Sequence, residues 1–277
     1  MNSFDKFDLQ NIKSVVVKAG KQLISFWSNR AQLNVDYKEG LGLVSEADRE
    51  VEEFLIRELS RELPEAKFCA EESSFIKEYN EEEVKKGYCW MIDPLDGTNN
   101  FLSGFDYFSI SIALSFNGKP IFGIVYRPIR GDLFYAQKGQ GSFYENIKEV
   151  SGPSLLSSKI PRPKRLREAL LCTGFAGEKG VKFDKEFETF KKLMMNSRGV
   201  RRLGSAALDL CYLAKGSWHG FWEKGLAPWD VSAGALICME AGLEVFSLET
   251  DHFSPFNPSI IACPKDFKAE FLDQLKG

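Results

Sequence analysis

Apolar residues near the start of the chain recur at helical spacing. Ile12, Val15, Val16, Ala19, Leu23, Phe26 and Trp27 fall on one helix face, which predicts an amphipathic first helix. Asn34 to Leu43, with Gly40 and Gly42, breaks that period and reads as a flexible loop. Ser45 to Leu63 returns to it, with Val51, Phe54, Leu55 and Leu59 on the apolar face. Ser45 and Asp48 have the residue types and spacing of a capping box, and Pro64 stops the helix. Strand patterns follow at Lys67 to Ala70 and Tyr88 to Ile92, then in a meander of Ser109 to Phe116, Pro120 to Arg127 and Leu133 to Ala136. Asn117-Gly118 is the chain's strongest hairpin turn.

Polar, proline-containing residues from Ser151 to Arg167 then mark a boundary. Beyond it strand and helix alternate. Ala169 to Thr173 and Gly220 to Glu223 read as strands. Lys185 to Met195, Ser205 to Ala214 and Pro228 to Ala241 read as helices, and two short strands and a helix from Pro264 to Leu275 close the chain. The pattern predicts a layered α/β sandwich, with an α+β N-terminal half at 1–150 and an α/β C-terminal half at 151–277, in one unit.

Composition narrows the partners. With 277 residues the chain can bury a sizeable core, and a net charge of −3 gives no global field for a nucleic acid polymer. Arg162, Lys164, Arg165 and Arg167 cluster with Pro161 and Pro163 and read as a solvated linker. The start, Met-Asn-Ser-Phe-Asp-Lys, lacks the order of a signal peptide, and no apolar run is long enough to span a membrane. A cytoplasmic location is expected. Cys69, Cys89, Cys172, Cys211, Cys238 and Cys263 are scattered singly, without a Cys-x-x-Cys pair, and read as buried thiols.

The candidate chemistry lies in Trp90 to Phe101. An apolar strand delivers Asp93 at its end, Pro94 fixes the next turn, and Asp96 follows with Gly97 and Thr98. Two close carboxylates in a partly buried site need a cation between them, and hard oxygen donors favour Mg2+ or Mn2+. A helix starting at Gly97-Thr98 would add backbone N–H groups suited to phosphate. By itself the segment also reads as two successive turns. Glu71-Glu72 after one strand and Asp230 at a helix start add acidic positions. Singly, they read equally well as a solvated loop and a dipole-favoured first-turn acid. His219 and His252 match no metal spacing, and His219 reads as structural.

These motifs resemble the inositol monophosphatase family of the lithium-sensitive, magnesium-dependent phosphatases. The matching stretches are Leu43 to Asp48, Glu71-Glu72-Ser73, Asp93 to Phe101, Gly204 to Leu210, and Trp229-Asp230 with Gly234 and Glu240-Ala241-Gly242. The resemblance covers nearly the whole chain. It implies the αβαβα sandwich shared with fructose 1,6-bisphosphatase, and Mg2+-dependent hydrolysis of a small phosphorylated alcohol or sugar, inositol monophosphate first. It implies that Glu71, Asp93 and the Leu95 carbonyl hold one ion, that Asp93, Asp96 and Asp230 hold a second, and that Glu72 lies near a weaker third. Gly97 and Thr98 N–H groups would bind phosphate. The Thr98 hydroxyl, hydrogen-bonded to Asp48, would prepare the attacking water with Glu71. Ala206 and Glu223 would contact the alcohol. A homodimer and lithium inhibition belong to the same carry-over. Gly42 departs from the acidic or polar residue usual before Leu-Val-Ser/Thr, which leaves open how residues 38–42 close over a third ion and whether Lys38 approaches phosphate. Asp209 reads as tying its helix to nearby backbone.

Alternatives within the superfamily are a fructose 1,6-bisphosphatase, a 3′(2′),5′-bisphosphate nucleotidase and an NADP phosphatase. Asn99-Asn100-Phe101 stands closer to the inositol group. An aspartyl-phosphate mechanism of the haloacid dehalogenase type needs one residue between its aspartates, whereas Pro94 and Leu95 both intervene here. A non-catalytic metal- or phosphate-binding regulator would have lost some of Glu71, Asp93, Asp96, Thr98 and Asp230, and all are present.

Overall fold

The computed structural model describes residues 7–38, 42–76, 80–156, 163–175 and 181–276. The chain opens with α1 (Leu9–Ser28), whose first N–H groups bond the Asp8 side chain. β1 (Val35–Lys38) and β2 (Gly42–Ser45) pair antiparallel, so both flanks of the expected loop are strands, where cross-strand pairing satisfies the backbone. Gly40 and the Lys38 side chain lie outside the described residues. In α2 (Glu46–Glu62) the capping box forms as expected: Asp48 Oδ2 accepts from the Ser45 N–H at 2.7 Å and the Ser45 hydroxyl at 2.5 Å.

Next come β3 (Lys67–Ala70), α3 (Glu71–Ile76), α4 (Glu81–Val84), β4 (Tyr88–Asp96), α5 (Thr98–Ser103), β5 (Ser109–Phe116), β6 (Lys119–Arg127), β7 (Asp132–Gln137), β8 (Gly141–Asn146) and β9 (Ser154–Leu155). These strands form one seven-stranded sheet in chain order, β3 parallel to β4 and the rest antiparallel. Asn117 (φ 49°) and Gly118 (φ 73°) make the β5–β6 turn in the left-handed conformation a tight hairpin requires. β8 and β9 have no counterpart in the apolar pattern, because they form a half-exposed edge with little of the core to mark them. β9 carries this sheet past residue 150.

The remaining elements are β10 (Leu170–Thr173), α6 (Val181–Asn196), β11 (Gly199–Arg201), α7 (Ala206–Lys215), β12 (Gly220–Lys224), α8 (Pro228–Glu240), β13 (Glu244–Phe246), β14 (Ser259–Cys263) and α9 (Lys268–Lys276). The second sheet has the order β11-β10-β12-β14-β13 and is mixed. β11 is too short to show in the sequence pattern. Between the halves, Lys164, Arg165 and Arg167 are exposed, as a solvated linker requires, while Arg162 lies outside the described residues.

Three apolar cores set the layers. Ile12, Val16 and Leu23 of α1 and Val51, Leu55 and Leu59 of α2 pack on Trp90, Ile92, Ile110 and Ile112. The opposite face of that sheet, through Cys89, Met91, Ala113 and Val125, packs on α7 and α8, which also cover Cys172, Phe221, Ile260 and Ala262 of the second sheet. The far face of the second sheet, through Leu171, Trp222, Ile261 and Cys263, packs on Leu193 of α6 and on Phe267 and Phe271. Alternate residues of one strand thus enter different cores, which is why these strands read as unbroken apolar runs. The order is the expected αβαβα sandwich. β3, β4 and β12 end, and α5, α7 and α8 begin, along one edge between the sheets.

Candidate active site

The site begins with an irregularity in β4. Asp93 pairs with Ser111 and Asp96 with Ser109, so three steps along β4 match two along β5. In a regular strand a separation of three turns side chains to opposite faces. The extra residue of this bulge returns Asp96 to the face of Asp93. Pro94 brings no N–H that needs a partner, and the Leu95 N–H closes onto Asp93 Oδ1 at 2.9 Å. Gly97 follows at φ 97°. A Cβ there would lie 3.0 Å from the Tyr107 carbonyl oxygen and 3.1 Å from that of Gly204. Glycine is required on both counts. α5 starts at Thr98, as the motif predicted.

Other elements bring their residues to the same cleft. Its volume is about 250 Å³, and its lining includes Glu71, Asp93, Leu95, Asp96, Gly97, Thr98, Ala206, Glu223 and Asp230. Glu71 is the first residue of α3, directly after β3. Asp48 and Glu72 are buried outside the lining. Asp48 reaches the site through Thr98, whose hydroxyl lies 3.1 Å from both Asp48 Oδ1 and the Leu95 carbonyl. Asp230 opens α8, and its Oδ2 accepts the Ala227 N–H at 2.7 Å. Asp96 Oδ2 accepts the Ser205 hydroxyl at 2.5 Å and the Ala207 N–H at 2.8 Å, which locks β4 to the start of α7. Glu223 lies over Gly174, where any Cβ would collide with its carboxylate.

Several contributors had no distinct sequence signal. Glu52 is buried and accepts from the Glu72 N–H, the Ser73 N–H (both at 2.7 Å) and the Ser73 hydroxyl, so it fixes the turn that presents Glu71. The signal available was a glutamate on the apolar side of α2, one residue past Val51. Asn100 Nδ2 donates to the Tyr107 and Leu203 carbonyls at 2.7 and 2.8 Å and pins α5 to the loop before α7. Arg202 lines the cleft and carries a positive charge to it. Asp209 also lines it. Its side chain accepts the Tyr107 hydroxyl at 2.8 Å, which corrects the expected backbone tie. His219 Nδ1 accepts the Leu170 N–H at 3.0 Å, the structural role expected of it.

The acidic groups cannot all ionise cheaply here. Burial pushes Asp96 up to about 6, against the Ser205, Ala206 and Ala207 bonds that favour its charge. Burial and the Asp96 charge push Asp230 up to about 7. Asp93 is driven well above the carboxylate range by burial and then by Glu71, Asp96 and Asp230. Glu71 is driven the same way by burial, then Asp230 and Glu72. Burial also raises Glu223, with Arg202 opposing. Asp93 lies within hydrogen-bonding reach of Glu71 and of Asp230. Facing carboxyls of this kind need a shared proton or a shared cation. Among the described residues no three such side chains stand in finished metal-shell geometry. The donor chemistry, carboxylate and carbonyl oxygen only, fits a hard divalent cation.

Comparison with known proteins gives the family and the fold. The sequence profile described as the inositol monophosphatase family matches residues 5–276. The chain is 34% identical over 265 residues to an inositol-1-monophosphatase of Caulobacter vibrioides, covering 94% of this chain and 97% of that one. It is 35% identical over 254 residues to the Nus factor SuhB of Vibrio cholerae, covering 91% and 90%. Among solved structures, the extragenic suppressor protein suhB of Bartonella henselae superposes with a TM-score of 0.83 at 32% identity, covering 97% of this chain and 98% of that one. A Thermotoga maritima IMPase superposes with a TM-score of 0.79 at 28% identity, covering 95% and 94%.

Proposed function

Because the chain belongs to the inositol monophosphatase family of phosphatases, we propose that it hydrolyses a small phosphate monoester, inositol monophosphate first among them, with Mg2+ bound in the Asp93 cleft. The observation that carries this reading is the β4 bulge. It places Asp93 and Asp96 on one face, beside Glu71 and Asp230, at the start of α5. Relatives named inositol-1-monophosphatase and relatives named Nus factor SuhB match at similar identity, so similarity alone does not choose between those roles.

In this reading Glu71, Asp93 and the Leu95 carbonyl would hold one ion, and Asp93, Asp96 and Asp230 would hold another. Glu72 would lie near a weaker third, and Mn2+ would be an acceptable substitute. Bound there, the cations would offset phosphate charge, lower the pKa of water and stabilise the leaving alkoxide. The protein does the positioning. Thr98 Oγ1 has acceptors in Asp48 and Leu95, so it donates inward and its lone pairs remain for a water in the cleft. Glu71, which lines the same cleft, would accept the water's proton. Gly97 and Thr98 N–H groups receive phosphate oxygens, while Glu223 and Ala206 face the alcohol. The whole chain acts as one unit of two halves, and we assign it as a homodimer. Six buried cysteines, all in the thiol form, support a cytoplasmic assignment.

The test is phosphate release from inositol 1-phosphate, fructose 1,6-bisphosphate, 3′-phosphoadenosine 5′-phosphate and NADP, with and without Mg2+. Turnover of inositol 1-phosphate at least tenfold above the others supports the reading. Mg2+-dependent turnover of another substrate moves the specificity to that ester. No turnover of any of them overturns the reading.

A further inference from the structure

A second cavity, of about 510 Å³, shares no lining residue with the cleft. One wall is the Asn117-Gly118 hairpin turn, a motif that the phosphatase chemistry does not use. A second wall is the end of α8, through Leu236, Met239 and Glu240, and a third is the loop carrying Phe253 and Phe256. Phe253, Phe256 and Met239 pack against the central core with one side and remain partly exposed on the other. A concave apolar surface of this volume is in the range of small-molecule sites.

The rim is basic. Lys85, Lys119 and Lys138 stand around the apolar floor. Lys85 pairs with Glu81 and lies 4.9 Å from the Phe256 ring centroid. Lys119 opens β6 and Lys138 directly follows β7, so both exposed lysines stand at the open end of the β6–β7 hairpin. Glu240 offsets one of these charges. Its two oxygens accept the Gly139 and Gly141 N–H groups at 2.8 and 3.0 Å. Asp251 is the other acid on the rim. An apolar floor lined by two phenylalanines beneath lysines matches a flat apolar body carrying a negative group.

We propose that this cavity is a second ligand site, taking a small molecule with a flat aromatic body and one anionic group. Recognition would come from the Phe253, Phe256 and Met239 floor for the body, and from Lys119 and Lys138 for the charge.

The probe is 1-anilinonaphthalene-8-sulfonate, followed by fluorescence on the full chain. We expect one saturable site. The neutral analogue N-phenyl-1-naphthylamine should bind at least tenfold more weakly. Lys119→Glu with Lys138→Glu should weaken the sulfonate tenfold or more, and Met239→Glu should do the same from the floor, with unfolding curves confirming that each variant folds. Asp93→Asn should leave binding intact. Displacement by phenylphosphonate would assign a phosphate-like natural ligand, and displacement by benzoate a carboxylate. Equal binding by the charge-reversed variant or by the neutral analogue overturns the proposal. So does loss of binding in Asp93→Asn, competition by inorganic phosphate, or displacement by neither aromatic anion.

Discussion

Asp48→Asn separates folding from chemistry. Asp48 is 1% exposed and accepts from the Ser45 N–H, the Ser45 hydroxyl and the Thr98 hydroxyl. Burial pushes its pKa from 3.8 to about 6, against the Ser45 and Thr98 bonds that favour its charge. An acid raised in the folded state holds its proton more tightly there than in the unfolded chain. Its contribution to stability is therefore intact below its ordinary pKa and is lost as pH rises through about 6. A shift of this size is worth about 3 kcal/mol, of which about 1.4 kcal/mol falls between about pH 5 and about pH 8. Asparagine does not ionise. Relative to wild type, the variant should gain that ~1.4 kcal/mol across the same interval, on top of a constant capping loss of about 1 kcal/mol. Its Oδ1 can still accept from Ser45, while its Nδ2 donates to Thr98 Oγ1 and confines the Thr98 proton to the Leu95 carbonyl. Position 48 then no longer accepts that proton, and kcat should fall by about 10²-fold or more. Urea unfolding of the metal-free protein at both pH values, with kcat under saturating Mg2+, measures the two effects. A variant that loses more stability at the higher pH than at the lower, or that keeps wild-type kcat, would refute the reasoning.

Asp93→Asn should abolish turnover while leaving the urea midpoint within reach of wild type, because it removes a charge whose burial is unfavourable; near-normal kcat would sink the bridging assignment. Gly97→Ala should cost about 1–3 kcal/mol of stability, from its φ of 97° and its contact with the Tyr107 carbonyl, and at least tenfold in kcat; an unchanged melting temperature would contradict the close approach. Asp230, raised to about 7, favours the metal-free fold below its ordinary pKa and stops doing so as pH rises through about 7. Mg2+ should therefore raise the melting temperature more at about pH 8 than at about pH 5, and an equal rise at both would show that the ion binds elsewhere. Lithium should inhibit in the presence of Mg2+, and full activity at high lithium would count against the family carry-over.

Period and punctuation in the sequence were enough for the main elements. The apolar stripe of α1, the Ser45–Asp48 cap, the Asn117-Gly118 turn and Pro228 at the start of α8 are local features, encoded by residues within a few positions of each other. The edge strands β8 and β9 and the short β11 were not legible, because edges and three-residue strands carry little apolar signal. In the site, the residue types and the motif spacing were legible. Their common face was not. The Asp93 and Asp96 separation, read as a regular strand, places the pair on opposite sides. Only pairing with Ser111 and Ser109 of β5 creates the bulge that reunites them. Likewise, Ser205 reaching Asp96, Glu52 holding the Glu71 turn, and Glu223 filling the space above Gly174 join positions far apart in the chain. Local sequence sets which φ/ψ and burial patterns each segment prefers. Which carboxylates share one low-dielectric cleft, and so which must compete for protons or a cation, is decided by how the two sheets pack around α7 and α8.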